Sequence, residues 1–112
     1  MNENVVQVAQ EEKLLSSLGL CVRAGRVIFG VPMTCDAMRW GGSNKTVLVL
    51  EAADTSENTH KRLQDKCAYY GVKHIRLSLG GDSLAAATGK SFFLGAVAVT
   101  DAGMAGLIEK YL

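Results

Sequence analysis

The stretch Thr46-Val47-Leu48-Val49-Leu50 decides the fold class, because it is rich in β-favouring residues and continuously apolar. A strand of this kind is typical of a sheet that is covered on both faces. Leu94 to Thr100 forms a second run of the same type, and Val27-Ile28-Phe29 forms a shorter one. A fourth run, from Ile75 to Leu79, alternates apolar and polar residues and predicts a strand with one face more exposed to solvent.

Working outward from these strands, apolar residues at helical spacing separate each strand from the next. The predicted helices and their start or stop signals are about Gln10 to Ala24 before Gly25, Pro32 to Gly41-Gly42, a helix capped by Asp54-Thr55-Ser56 and stopped by Gly71, a helix capped by Asp82 or Ser83 and stopped by Gly89, and a helix capped by Asp101. This alternation predicts an α/β fold, a three-layer α/β/α sandwich with one small mixed sheet between helices. We expect residues 1–10 to form a flexible tail and residues 11–112 to form a single domain.

Composition excludes several classes of protein. The chain has 112 residues, 48% of them hydrophobic, and a formal net charge of +1, which excludes a disordered chain. No apolar run approaches the length of about 20 residues that a bilayer requires, so we expect no membrane partner. Three widely spaced cysteines without a C-x-x-C pair predict reduced thiols in a cytoplasmic protein, rather than a disulfide framework or a zinc site.

The charge is unevenly distributed along the chain. Residues 1–12 carry −3, residues 13–45 carry five bases against one acid, or +4, and residues 46–112 carry seven of each, which restores the total of +1. A near-neutral total argues against a protein that binds nucleic acid by bulk electrostatics. The basic excess between residues 13 and 45 nevertheless predicts a local positive patch.

No motif in the sequence predicts catalysis. Gly89-Lys90-Ser91 matches the end of a phosphate-binding P-loop, but Leu84 stands where that loop requires glycine, and the segment follows a helix rather than a strand. The cysteines and the two histidines form no nucleophile–base pattern, and no carboxylate sits in an otherwise apolar pattern. We therefore expect a protein that is not an enzyme and has no cofactor, metal or small-molecule substrate.

The turn Arg23-Ala24-Gly25-Arg26 and the following Gly30 form the remaining candidate site. Two arginines bracket the turn and a helix begins shortly after it, so guanidinium groups and free helix N–H groups suit a phosphate backbone. The alternative is that Gly25 only ends a helix and that the arginines are solvated, and composition alone favours this alternative.

Leu18 to Arg26, with the sequence LGLCVRAGR, resembles the LGLAxRAGK opening of small bacterial relatives of a ribosomal protein family. Asp54 to Thr59 (DTSENT), Asp65 to Tyr70 (DKCAYY) and Leu84 to Asp101 (LAAATGK, then VAVTD) resemble later motifs of the same family in the same order. The resemblance covers nearly the whole chain from about Leu14. The family is the L7Ae/L30e group of kink-turn RNA-binding proteins, and the similar branch is the bacterial YlxQ-like one.

This resemblance implies the same three-layer fold and a non-catalytic RNA-binding protein associated with the ribosome or with translation. Its RNA would bend sharply at an internal loop and would be recognised by shape, unstacked bases and phosphate contacts. Lys90 would reach phosphate and Phe92 or Phe93 would cover a splayed base, although we expect at least one of the two rings to enter the sheet core. The RNA-binding residues that the resemblance implies are Arg23, Gly25, Arg26, Gly30, Met33, Thr34, Lys90, Ser91 and Phe92.

One segment departs from the family pattern. RNA-binding members begin the second helix with G-x-N-E-x-x-K, whereas this chain has Pro32, Met33 and Asp36 at the three polar positions. Proline and methionine side chains cannot make those base-edge hydrogen bonds and an aspartate repels phosphate, so the departure predicts a narrow or weakened RNA site. The alternative function is a protein-interaction module of the same fold that docks through apolar surface near Met33 and Trp40.

Overall fold

Four short strands form one mixed sheet in the computed structural model of the chain, which describes residues 8–40 and 45–111. The strands are β1 (Val27–Phe29), β2 (Leu48–Glu51), β3 (Lys73–Arg76) and β4 (Ala96–Val99), and their order in the sheet is β1-β4-β2-β3. Strand β4 runs antiparallel to both β1 and β2, whereas β2 and β3 are parallel. The predicted mixed sheet is therefore confirmed.

The helices of the described residues lie on both faces of this sheet. They are α1 (Val8–Arg23), α2 (Val31–Ala37), α3 (Glu57–Tyr70), α4 (Gly81–Ala87) and α5 (Ala102–Glu109). Because side chains alternate along a strand, Leu48 and Leu50 of β2 pack with α1, α4 and α5, whereas Val49 packs with α2 and α3. Two hydrophobic cores thus enclose the sheet, and the predicted α/β/α sandwich is confirmed.

Several predicted helix boundaries are confirmed by backbone angles and hydrogen bonds. Gly25 and Gly71 have φ angles of 72° and 66°, a conformation that favours a residue without a Cβ at the end of a helix. The side chains of Ser56 and Asp101 each accept a hydrogen bond from a backbone N–H in the first turn of the following helix. Pro32 lies in the first turn of α2, where its missing N–H costs nothing.

The first two helices differ from the prediction in length. Helix α1 begins at Val8, so residues 8–10 belong to the helix, and the rest of the predicted tail, residues 1–7, lies outside the described residues. Helix α2 ends at Ala37, and the predicted stop at Gly41-Gly42 also lies outside the described residues. No helix in the described part of the chain is long and apolar enough to cross a membrane.

The segment from α4 to β4 differs from the prediction at both ends, because hydrogen bonds that the sequence did not indicate determine where α4 and β4 begin. Asp82 and Ser83 do not cap α4; the N–H of Gly81 donates to the Asp54 carboxylate instead, at 2.9 Å. Residues 92–94 form a loop, and the strand predicted from Leu94 begins at Ala96, because the N–H of Leu94 donates to the Gly81 carbonyl rather than to a neighbouring strand.

Candidate functional site

A cleft of about 310 Å³ opens at one end of the sheet, where three loops meet. Its walls are residues 30–32 at the β1–α2 junction, residues 54–56 with Thr59 at the start of α3, and residues 92–95 in the α4–β4 loop. These segments together are called the cleft below. It brings together two of the predicted site residues, Gly30 and Phe92, which are 62 positions apart in the chain.

Backbone hydrogen bonds at the ends of three adjacent strands hold the loops of the cleft together. The N–H of Gly30 donates to the Ala96 carbonyl at 2.9 Å, and the N–H of Ala52 donates to the Gly95 carbonyl at 2.8 Å. The strand order β1-β4-β2 therefore places the loop after β1, the loop before β4 and the loop after β2 side by side. The cleft is a product of strand order, which no single sequence motif encodes.

Two glycines allow the loops to approach closely. A Cβ on Gly95 would lie 3.0 Å from Cγ2 of Val31 and 3.2 Å from Cγ2 of Thr55, so this part of the cleft has little room for a side chain. A Cβ on Gly81 would lie only 2.3 Å from the ring of Phe93. That ring therefore rests directly on the backbone at the start of α4.

Phe92 and Phe93 lie at the mouth of the cleft and do not enter the core. Their exposed fractions are 59% and 49%, so the expectation that at least one ring enters the sheet core is wrong. The physical reason is the loop that precedes β4, which bonds back to α4 before the strand begins. Exposed aromatic rings beside a cleft offer flat apolar surface to an unstacked base or another planar group.

Lys90 approaches the cleft from the end of α4. Gly89 before it has a φ angle of 77°, which turns the chain out of the helix. The Nζ atom of Lys90 lies 4.3 Å from the centroid of the Phe29 ring, which is a cation–π contact with the last residue of β1. The next residue, Ser91, is exposed. Lys90 and Ser91 directly precede Phe92 of the cleft in the chain, although neither lines the cleft itself.

Arg23, Gly25 and Arg26 lie at the opposite end of β1 from the cleft. The N–H of Thr100, just after β4, donates to the Arg26 carbonyl at 3.0 Å, whereas Gly30 pairs with the first residue of β4. About 13 Å of extended backbone separates Arg26 from Gly30. Arg23 lines a different groove, between α1 and α4. The arginine turn and the start of α2 therefore do not form the single surface that the sequence suggested.

The side chains of α2 lie in different environments. Met33 is half exposed, whereas Thr34 is fully buried and its Oγ1 atom has no hydrogen-bond partner in the described part of the chain. Thr34 is thus inaccessible to RNA in this conformation and does not belong to the predicted binding surface. Asp36 is exposed and bonds the guanidinium of Arg39 at 3.0 Å. An exposed ion pair of this kind is weak, but it offsets part of the negative charge.

The wall formed by the β2–α3 loop is not apparent from the sequence, where Asp54, Thr55 and Ser56 are interpreted only as helix caps. The structure places all three along the cleft. The carboxylate of Asp54 also accepts the hydrogen bond from Gly81, so the N-terminus of α4 stabilises its charge. The sequence offers one signal that could have identified this wall: the three polar residues follow a buried strand closely, in a loop where binding residues often occur.

A buried polar network lies behind this wall, centred on Glu51 at the end of β2. Its Oε1 atom lies 2.8 Å from Nδ1 of His60 and 2.7 Å from Nε2 of His74, and its Oε2 atom accepts a hydrogen bond from the Thr55 hydroxyl. Burial acts to raise the pKa of Glu51, but these hydrogen bonds outweigh it and hold the pKa below the ordinary value of 4.5. Glu51 directly follows the apolar residues of β2 and is fully buried, yet the sequence pattern did not single it out.

All three cysteines are buried and free, which agrees with the predicted buried thiols. Burial raises the pKa of Cys67 to about 12 and also raises the pKa of Cys21. Neither of these thiols ionises appreciably at neutral pH, and a protonated thiol is a poor nucleophile.

Comparison with known proteins relates this geometry to one family. Residues 12–108 match the model of the "Ribosomal protein L7Ae/L30e/S12e/Gadd45 family". A Bacillus subtilis protein named RNA-binding protein YlxQ is 36% identical over 95 residues, which cover 85% of this chain and 90% of that protein. An Enterococcus faecium protein of the same name is 39% identical over 66 residues, which cover 59% of this chain and 61% of that protein, less than two thirds of its length.

A solved structure shares the fold. The Giardia lamblia 15.5kD RNA binding protein superposes with a TM-score of 0.75 at 14% identity, and the superposition covers 99% of this chain and 93% of that one. At this identity the similarity concerns the arrangement of strands and helices.

Proposed function

Because the chain belongs to the ribosomal protein L7Ae/L30e/S12e/Gadd45 family, we propose that it binds RNA and that the cleft is its binding site. Two relatives are named RNA-binding proteins. The RNA is structured and sharply bent, of the kink-turn type, and belongs to the ribosome or to another part of the translation machinery. The ribosomal proteins in the family description support the second part of this proposal.

The exposed rings of Phe92 and Phe93 beside the cleft carry the proposal. A base that is unstacked at a bend in RNA can lie on such a ring, and each stacked base contributes about 1–3 kcal/mol. The cleft has the volume of a site for one small planar group and is too small for a duplex. We therefore expect at least one extruded base in the bound RNA.

The charges around the cleft favour a contact with few phosphates. Lys90, two residues before Phe92 of the cleft, supplies an ammonium, whereas Asp54 places a carboxylate in the wall of the cleft and Asp36 adds an exposed one on α2. Carboxylates repel a phosphate backbone, so the protein neutralises few phosphates and the affinity depends only moderately on salt. Arg23 and Arg26 contact a flanking strand only when the RNA is long enough to reach the other end of β1.

Titration of a labelled kink-turn RNA and of a straightened control, across a salt series, tests this proposal. We expect tighter binding of the bent RNA, and we expect Lys90→Ala to weaken it and to reduce the salt slope by about 1. Lys110→Ala is the matched control, because Lys110 also stacks on an aromatic ring, at 5.4 Å from the Tyr111 centroid, at the end of α5. Equal affinity for the bent and straight RNAs at every salt concentration contradicts the kink-turn proposal.

A protein-interaction module is the second candidate function. The half-exposed apolar side chains of Met33 and Trp40, in α2 and just after it, favour this alternative. If neither the kink-turn RNA nor ribosomal RNA binds, and Met33→Ser lowers binding to a ribosomal protein fraction, this function replaces the first.

A further inference from the structure

We propose that Glu51, His60 and His74 bind one divalent transition-metal ion of the zinc type. These residues come from β2, α3 and β3, so three separate elements direct their side chains to one point. They include both histidines of the chain. Each offers one ligand atom, and the three atoms lie within 4.8 Å of one another. This site is independent of the proposed binding of RNA.

The chemistry of the three ligands selects the class of metal. Two imidazole nitrogens and one carboxylate oxygen form a ligand set typical of zinc sites with an open fourth position. Magnesium and calcium prefer sites built only from oxygen, so a pair of imidazoles disfavours them.

The charge of the cluster also favours a bound cation. The carboxylate of Glu51 is inaccessible to water, and a buried negative charge is costly unless it is paired. Its permanently charged contact is Arg76, whose Nε atom lies 3.7 Å from Oε2 and whose Nη2 atom donates to the Ala53 carbonyl instead. Among the described residues, the hydrogen-bond partners of the other oxygen, Oε1, are the two imidazoles. A divalent ion between these three atoms would supply the charge that Arg76 supplies only at a distance.

The geometry fits such an ion after a small adjustment. Ligand atoms bound to zinc at about 2.1 Å lie about 3.4 Å apart in a tetrahedral site. The two nitrogens now lie 2.8 and 2.7 Å from Oε1 of Glu51, so these distances must lengthen by about 0.6 and about 0.7 Å. Side-chain torsions of the histidines can supply this movement, because His60 is 29% and His74 14% exposed. The same exposure gives the ion access from solvent, which would supply a water molecule as fourth ligand.

Calorimetric titration of the chelator-treated 112-residue chain with Zn²⁺ tests the proposal. We expect saturable binding of one ion per chain and a higher melting temperature when Zn²⁺ is present. His74→Gln retains a hydrogen-bond donor for Glu51 but removes a ligand, so we expect it to weaken binding by more than about 100-fold. Glu109→Gln is the matched control, because Glu109 is a partly exposed carboxylate that pairs with Lys73 away from the cluster.

A Co²⁺ spectrum of the unmodified protein keeps the test decisive if His74→Gln fails to fold. Ligands from imidazole and carboxylate give visible bands of a tetrahedral ion without the near-ultraviolet charge-transfer band of a thiolate. Three results overturn the proposal: no saturable Zn²⁺ binding, equal binding by folded His74→Gln, or a thiolate band that assigns the ion to the cysteines.

Discussion

Truncation of Phe92 separates a role in RNA binding from a role in folding. Because 59% of this side chain is exposed, Phe92→Ala loses less than half of the roughly 1.5–3 kcal/mol that full burial contributes, or about 1 kcal/mol of folding stability. Loss of a stacked base costs about 1–3 kcal/mol of binding free energy, which is a decrease of about 5- to 150-fold in affinity. Urea unfolding and fluorescence titration with a kink-turn RNA measure the two quantities on the same protein.

Tyr69→Ala is the matched control for this substitution. Tyr69 is an 83% exposed aromatic residue near the C-terminal end of α3, about 15 Å along the helix from the part of α3 that lines the cleft. We expect its removal to leave RNA affinity unchanged. The assignment of the cleft is refuted if folded Phe92→Ala binds as tightly as the unmodified protein, or if both substitutions weaken binding equally.

Three further predictions concern packing and reactivity. Gly81→Ala displaces the Phe93 ring, because the new Cβ would lie 2.3 Å from it. We expect the free energy of unfolding, measured with urea, to fall by about 1–3 kcal/mol. An unchanged free energy of unfolding contradicts this contact. Glu11→Ala removes a buried carboxylate that accepts hydrogen bonds from two backbone N–H groups and one hydroxyl of residues 78–79. We expect this substitution to lower the free energy of unfolding by about 3 kcal/mol, and the exposed control Glu12→Ala to lower it by about 0.5 kcal/mol or less. Equal losses for the two variants refute the role of the Glu11 hydrogen bonds. Cys67, with its pKa raised to about 12, is expected to react with iodoacetamide at pH 8 only after unfolding, since about one thiol in 10,000 is ionised there; rapid labelling of the native protein is the contrary result.

The layers of the fold follow from local patterns in the sequence. The apolar run that contains β2 predicts a strand covered on both faces, and in the structure each residue of Leu48–Glu51 is buried. Gly25, Gly71 and Asp101 mark helix ends through their own conformations or side chains, so each signal is present within a few residues. These local signals can be interpreted from the sequence without knowing which strands pair.

The site depends on contacts that no local pattern encodes. Insertion of β4 between β1 and β2 moves Gly30 next to Gly95 and the Phe92 loop, while it leaves Arg26 at the other end of β1. The resemblance to a family identified both regions but could not place them in space. Glu51 was missed for the same reason, because its histidine partners lie 9 and 23 positions away in the chain.

The central claim is that RNA binds in the cleft, and a titration of ¹⁵N-labelled protein with kink-turn RNA, followed by amide chemical shifts, tests it most directly. We expect the largest shift changes at residues 30–31, 54–59 and 90–95, which surround the cleft. We expect the amides of α5 to change little. Shift changes confined to the arginine turn at residues 23–26, with the cleft unaffected, contradict the claim.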